Sequence, residues 1–436
     1  MDRRRGLQPA TPRPPLETVA EMPRLTVVVP SHNRRLAVQR LLDALSRQTA
    51  SPSTFDAIVV VDGSSDGTAE ALRGRAFPYP LQIVEQASLG PAAARNEGAR
   101  RASGRVLLFL DDDMEPSADV VAAHLTLHAD ADDRIGIGAL TPIVDGDSLF
   151  AKILRYWWTD MQEAIHRPGH RFSFKDLLSG HFSIARARFG TLAGFDTRLR
   201  CHEDYEMGFR AIQAGMEFRV ARGAATLHHD DSTLDKVFRR KFDEGVADVA
   251  LAHRHPALIK GLPFAWEGHA SRKKRALRRV AWSASTAADA LARSMQRMLP
   301  LYEAASLRFR WRALLEALLD YWYWRGVADV LHHPSRLHAL LASAPAAPAP
   351  MTVDLAAGIE AAEARLDEFR PAAARLVYGH DTVITIPAYP GYEALRGAHL
   401  RPLLARWCPV PYLEVAAHHR EIPGVLLPLV ARLESP

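Results

Sequence analysis

Between Leu25 and Asp113 the chain passes four times from a short apolar run into a polar or helical segment, with only a few residues between them. The runs are LTVVVP (Leu25–Pro30), DAIVVVDG (Asp56–Gly63), LQIVEQ (Leu81–Gln86) and RVLLFLDDD (Arg105–Asp113). Unbroken Val, Ile and Leu suit strands buried on both faces. Leu41, Leu42 and Leu45 share one face of a helix after the first run, and Gly90–Ala102 has Pro near a helix start and Ala through its body. Strand and helix alternating over short connections predict an α/β fold with a mostly parallel sheet flanked by helices. Ligands in such sheets sit beyond the carboxyl ends of the strands. The polar clusters fall there: Ser31, His32 and Asn33 after the first strand, Asp62 to Gly67 after the second, Asp111 to Asp113 after the fourth.

The rest of the chain is less regular. With 48% hydrophobic and 24% charged residues over 436 positions, a disordered or fibrous protein is excluded, and the length allows two or three units with real cores. Residues 1–23, rich in Pro and Arg, are expected to be a loose leader without the apolar core of a secretory signal. The strand-and-helix unit is expected to span 24–260, with strands at Phe182–Phe189 and Met216–Arg222. A basic, aromatic helical region follows over 261–343, then a Pro/Ala linker over 344–351. A small α+β unit closes the chain over 352–436, with a helix over Asp354–Phe369 and a strand over Asp381–Pro387. The longest uncharged stretch, Leu337–Val353, is interrupted by three prolines and does not read as a membrane span. Two cysteines exclude a disulfide framework and predict a cytoplasmic location.

Three adjacent carboxylates ending a buried strand repel one another unless a cation neutralises them. Asp111, Asp112 and Asp113 therefore read either as a site for Mg²⁺ or Mn²⁺ or as an acidic surface turn, and their place on the sheet favours the metal. Asp62 can accept from a base N–H or a ribose hydroxyl, while Ser64 or Asp66 can cap the next helix. Pro30, His32 and Asn33 close the first strand. Arg95 either faces a phosphate or pairs with the carboxylates.

VVVPSHNR, VVVDGSSDGT, GPAAARNEG and FLDDDMEP, in this order and spacing, resemble the family 2 glycosyltransferases of GT-A fold. The likeness runs over roughly residues 24–255 and includes Ser179–Gly215, similar to that family's acceptor-side segment. It implies inverting transfer of one sugar from a nucleotide-diphosphate donor, with uridine the common base. Carried over by position, Pro30, His32 and Asp62 would line base and ribose, with Asn33, Arg95 and Asp112 also on the donor side. Asp111 would contact ribose or metal, Asp113 would bind the metal, and His228 or His229 in ATLHHDDS would complete its ligands. Gly180, His181 and Glu203 would lie on the acceptor side, and Asp204 would be the general base. The residues themselves support that last role. Tyr205, Phe209 and Ile212 share a helical face, so Asp204 falls at a helix N-terminus, where the dipole favours an ionised carboxylate. Two departures stand out: Met114 follows Asp113 where relatives often carry another acid, and no Gln-x-x-Arg-Trp segment is present, which speaks against a processive synthase.

Between Lys260 and Arg312, twelve Lys and Arg face three acidic residues in a chain whose net charge is only +5. With Trp282, Phe309, Trp311 and Tyr321–Trp324 nearby, residues 272–324 read either as a contact with an anionic membrane at its inner face or as a solvated face over an aromatic core. Nucleic acid is not an expected partner, since no recognition motif accompanies the charge. A glycan or lipid-linked acceptor is. A dinucleotide dehydrogenase would need G-x-G-x-x-G where this chain has PSHNRR. The alternative of another class is a catalytically silent binding module of the same fold.

Overall fold

The computed structural model describes residues 24–269, 271–283 and 285–407, so the expected leader lies outside the described residues. Eight strands form one sheet: β1 (Leu25–Ser31), β2 (Phe55–Asp62), β3 (Leu81–Gln86), β4 (Val106–Leu110), β5 (Met114–Pro116), β6 (Arg134–Ile143), β7 (His181–Ala185) and β8 (Glu217–His229). Their order is β3-β2-β1-β4-β7-β6-β8-β5. The first four are parallel, β7 runs antiparallel to both β4 and β6, and β5 pairs antiparallel with β8 at the edge. The fold is α/β, as the alternating pattern predicts.

The period of two along β1 decides which layer each side chain enters. Leu25, Val27 and Val29 pack with Val38, Leu41 and Leu42 of the helix Arg35–Leu45. Val28 turns to the opposite face with Ile58, Val60 and the alanines of the helix Pro91–Arg101. Both faces are thus covered, and the strand tips are left as the one place where polar side chains of β1, β2 and β4 converge.

Two expected elements change at their ends. The strand expected over Phe182–Phe189 stops at Ala185, and Arg186–Thr191 is a helix. ARARF carries apolar spacing compatible with either period. The strand expected over Met216–Arg222 continues to His229, because β6 accompanies it with a register shift.

Beyond the sheet, the helix Arg308–Leu331 lies across Leu234–Arg254, and the crossing is close at two glycines. A Cβ on Gly245 would lie 2.1 Å from the Tyr323 carbonyl oxygen, and one on Gly326 would lie 2.0 Å from that of Phe242. A second small sheet holds β9 (Met351–Asp354), β10 (Ala374–Tyr378) and β11 (Asp381–Ile386) in the order β11-β10-β9. The helix expected from Asp354 begins at Ile359 instead, since Met351–Asp354 pairs with β10. This unit is fastened to the segment before β7. Phe174 N–H donates to the Gly391 carbonyl at 2.8 Å, Glu393 N–H to that of Phe172 at 2.9 Å, and Arg396 pairs with Glu217 on β8.

Candidate active site

At the end of β1 the chain turns through Asn33, whose φ of 53° is left-handed, a conformation Asn tolerates better than most residues. The turn is tied to the tip of β2. Asn33 N–H donates to the Ser64 hydroxyl at 2.9 Å, Ser65 N–H donates to Asn33 Oδ1 at 2.8 Å, and His32 Nδ1 lies 2.5 Å from the Asp62 carbonyl oxygen. Asp62 is buried and well occupied. Its Oδ1 accepts from Gln86 Nε2 at 2.7 Å and Leu89 N–H at 2.8 Å, and its Oδ2 accepts from Gly90 N–H at 2.8 Å. Asp62 therefore builds the loop that starts the helix Pro91–Arg101. Pro30, His32, Asp62, Arg95, Asp111 and Asp113 line a cavity of ≈ 390 Å³ at these strand tips.

The three aspartates have separate partners. Asp111 accepts from Arg95 Nη2 at 2.6 Å, Asp112 from the Ser31 hydroxyl at 2.8 Å, and Asp113 from Arg34 Nη1 at 2.6 Å. Burial pushes the Asp112 carboxyl up to about 7, against the pull of Arg34 and Ser31. Burial and then the neighbouring Asp111 also raise Asp113, while His228 and Arg34 act against the rise. Arg34 reaches on to Asp231 at 3.0 Å, so one guanidinium joins the tips of β1, β4 and β8. Arg34 and Asp113 also line a neighbouring cavity of ≈ 400 Å³, together with Phe150, Leu154 and Asp230.

Edge strand β5 brings a histidine to this place. Met114 pairs in register with His228, and His229 N–H donates to the Asp113 carbonyl at 3.0 Å. Side-chain alternation then separates the two histidines. His228 Nε2 lies 3.8 Å from Asp113 Oδ1, whereas His229 Nε2 lies 3.0 Å from Glu115 Oε2. Trp158 supports His228 edge-on, at 4.6 Å between ring centroids, and donates to Asp230 at 2.9 Å. Asp113 Oδ1 and His228 Nδ1 are buried without a hydrogen-bond partner. Among the described residues no three His, Cys, Asp or Glu side chains are already gathered as a metal shell.

On the other side, His202 with φ 62° starts the helix Glu203–Gln213, which places Asp204 in its first turn. Asp204 Oδ1 accepts from Tyr205 N–H at 2.8 Å, and its Oδ2 lies 3.4 Å from Ser179 N. Glu203 is buried and accepts from Arg95 Nη1 at 2.9 Å. Arg95 therefore answers the question the sequence left open: its partners are carboxylates. Burial works against its charge, but Asp111 and Glu203 outweigh that and raise its pKa. Burial, then the charge of Asp204, raises Glu203, while Arg95 opposes. Gly180 is the hinge of this arrangement. Its carbonyl accepts from Asp111 N–H at 3.1 Å, and a Cβ there would sit 2.8 Å from Met114 Cε and 3.0 Å from Asp111 Oδ2. The chain Asp111–Arg95–Glu203 and the Ser179–Gly180 turn thus put the tip of β4 and Asp204 at the same end of the sheet.

One candidate falls elsewhere. The His181 ring is buried in the core, 3.1 Å from His124 Nε2, because the first residue of β7 turns inward against Gly138. Sequence reasoning missed Arg34, Trp158, Asp230 and Asp231. Their partners lie far along the chain, and only the position of Arg34 within PSHNRR hinted at a place beside the strand tips.

Residues 26–189 match the family model described as glycosyl transferase family 2. Among curated relatives, the chain is 27% identical over 281 residues to a validoxylamine A glucosyltransferase of Streptomyces hygroscopicus subsp. limoneus, covering 56% of this chain and 60% of that protein. It is 27% identical over 212 residues to the amylovoran biosynthesis glycosyltransferase AmsB of Erwinia amylovora, covering 47% and 69%. A mannosyltransferase of Pyrobaculum calidifontis, solved with GDP-Man and Mn²⁺, aligns with a TM-score of 0.44 at 21% identity, over 68% of this chain and 86% of that one.

Proposed function

We propose that the chain is an inverting glycosyltransferase that moves one sugar from a nucleoside-diphosphate donor, uridine diphosphate sugars first among them, to a hydroxyl of a glycan or lipid-linked acceptor. The observation that carries this reading is the junction Asp111–Arg95–Glu203, which sets a cavity lined by strand-tip carboxylates beside a carboxylate at a helix N-terminus. In the reaction, the acceptor oxygen bonds to the anomeric carbon from the face opposite the diphosphate. The bond from that carbon to the diphosphate breaks, and the electron pair leaves with it. Asp204, in the first turn of its helix and oriented by the Tyr205 N–H, accepts the hydroxyl proton. Pro30 and His32 would face the base and ribose, and Asp62 would serve the donor chiefly through the loop it holds.

Asp113 Oδ1 and His228, with Asp111 beside them, would hold Mn²⁺ or Mg²⁺. Asp113 Oδ1 is buried without a hydrogen-bond partner and His228 Nε2 lies 3.8 Å from it, a carboxylate and an imidazole whose chemistry fits such an ion. When bound, it neutralises charge on the departing diphosphate. Arg34 is the chain's own cation on the same carboxylate. We place the protein in the cytoplasm, with the basic segment toward the inner face of the membrane.

The test is a panel of nucleotide sugars with divalent metal and simple glycoside acceptors. Asp204→Asn should keep donor affinity and lose transfer by ~10²–10⁴; undiminished transfer would remove the base assignment. One observation favours a second reading. The Arg34–Asp113 pair, with no gathered three-ligand shell among the described residues, also suits a module that binds nucleotide sugar without turnover. Donor binding without hydrolysis or transfer across the whole panel would decide for it.

A further inference from the structure

In the basic region Trp311 and the cluster Tyr321–Trp324 are buried. Exposed aliphatic side chains line up instead at Leu291, Met295, Met298 and Leu301, on the helices Thr286–Gln296 and Met298–Ala304, which are separated only by Arg297. At 100° per residue these four fall within a third of the helix circumference, while buried Ala292 and Leu299 face the body of the protein. A left-handed Ser306 ends the run, and Phe309 follows at 93% exposure. Arg297, Arg308 and Arg310 flank this stripe, and Arg272 to Arg275 and Arg279 extend the charge; none of them meets a carboxylate among the described residues.

We propose that this stripe is a docking surface for an anionic lipid bilayer, lying beside the entrance to the candidate active site. An exposed apolar stripe flanked by unneutralised cations is the pattern of a helix that lies in the membrane interface. Cations alone would suit a polyanion in solution, but a polyanion leaves the apolar stripe uncovered. No described helix is long and apolar enough to cross a membrane, so the contact is peripheral. The location follows from one bond. Glu303 accepts from Leu149 N–H at 2.6 Å, at the first turn of the helix Leu149–His166. Phe150 and Leu154 of that helix line the cavity shared by Arg34 and Asp113, and its outer face exposes Ile153, Tyr156 and Trp157. A bilayer seated here brings its headgroups to that cavity, which deepens the lipid-linked acceptor of the proposed function and rests on it only for the identity of the acceptor.

The experiment uses the full chain, without nucleotide sugar, sedimented with vesicles of phosphatidylcholine alone or with about one third phosphatidylglycerol. Binding is expected only to the anionic vesicles, weakening as salt rises. The double variant Leu301→Asp/Phe309→Asp should lose binding at least tenfold while keeping its circular dichroism and thermal unfolding. Arg297→Gln and Arg310→Gln should each lose about fivefold, the equivalent of ~1 kcal/mol per cation. Asp204→Asn should bind vesicles like the parent, so failure of the glycosyltransferase reading and failure of this one are distinguishable. The proposal is overturned if anionic vesicles do not bind, if the double variant binds undiminished, or if a lipid-free dimer exists that the double variant dissociates.

Discussion

The carboxylates at the tips of β2 and β4 and the aromatics between Trp282 and Trp324 stand out equally in the sequence, yet folding puts them to opposite uses. The carboxylates are delivered to one cavity because the strands that carry them run parallel on either side of β1, so their ends coincide. The aromatics belong to a helix with no such edge. Trp311, Tyr321, Trp322, Tyr323 and Trp324 are buried in the packing of Arg308–Leu331 against its neighbours. Of the two readings left open for this region, the aromatic core is the one these five rings fit: Arg278 lies over Trp324 at 4.6 Å, and Tyr323 donates to Asp248 at 2.7 Å, inside the protein. Topology makes strand ends readable from order alone, whereas the outward face of a helix rich in rings depends on which neighbour it meets.

That contrast can be broken or sharpened by measurement. The largest effect belongs to the strand-tip region, where Asp204→Asn is expected to lower transfer by ~10²–10⁴ without unfolding the protein. Next, Arg95→Met should cost about 3–5 kcal/mol of stability, because it leaves Asp111 and the buried Glu203 without their shared cation. Chemical denaturation measures it, and a loss below about 1 kcal/mol would mean that the junction is not the anchor described. In the helical region Trp324→Ala should cost a similar ~3–5 kcal/mol as a core cavity. Phe309→Ala, in contrast, should change stability by less than about 0.5 kcal/mol. Equal costs at the two positions would erase the distinction between buried and outward rings.

A pH experiment probes the seam between the regions. Buried His202 is held against Asp248 at 2.9 Å. Burial opposes its charge, but the hydrogen bonds and charges of Asp248 and Cys201 raise its pKa to about 10. Its unfolded value is about 6.5. The folded pKa is the higher one, so the stability it contributes is fully present below about pH 6.5 and is lost as pH rises toward 10. Thermal unfolding followed from pH 6 to 10 should fall more steeply for the parent than for Asp248→Asn; identical slopes would show that the pair contributes nothing.

Much of the strand-tip cavity was legible because buried parallel strands announce themselves by unbroken Val, Ile and Leu, and their tips inherit the next residues in line. Asp62, Asp111, Asp112 and Asp113 were found this way. What they touch was not legible. Arg34 meets Asp113 and Asp231 across 79 and 197 positions, a pairing no local spacing encodes. The edge strand Met114–Pro116 escaped notice because three residues ending in Pro read as a turn. Yet its register with β8 is what sets His228 toward Asp113 and His229 toward Glu115. His181 was misplaced for the same reason: a segment motif names a neighbourhood, while the parity of β7 decides which face a side chain enters.

The most direct test of the central claim, a cation at Asp113 gripping a nucleoside diphosphate across from Asp204, is calorimetric titration of the full chain with uridine and guanosine diphosphates. Each titration is run with Mn²⁺ and with chelator, on the parent and on Asp113→Ala. The account predicts that Mn²⁺ tightens binding of one nucleotide at least tenfold in the parent and not in the variant. The same tightening in both proteins, or none in either, would contradict it.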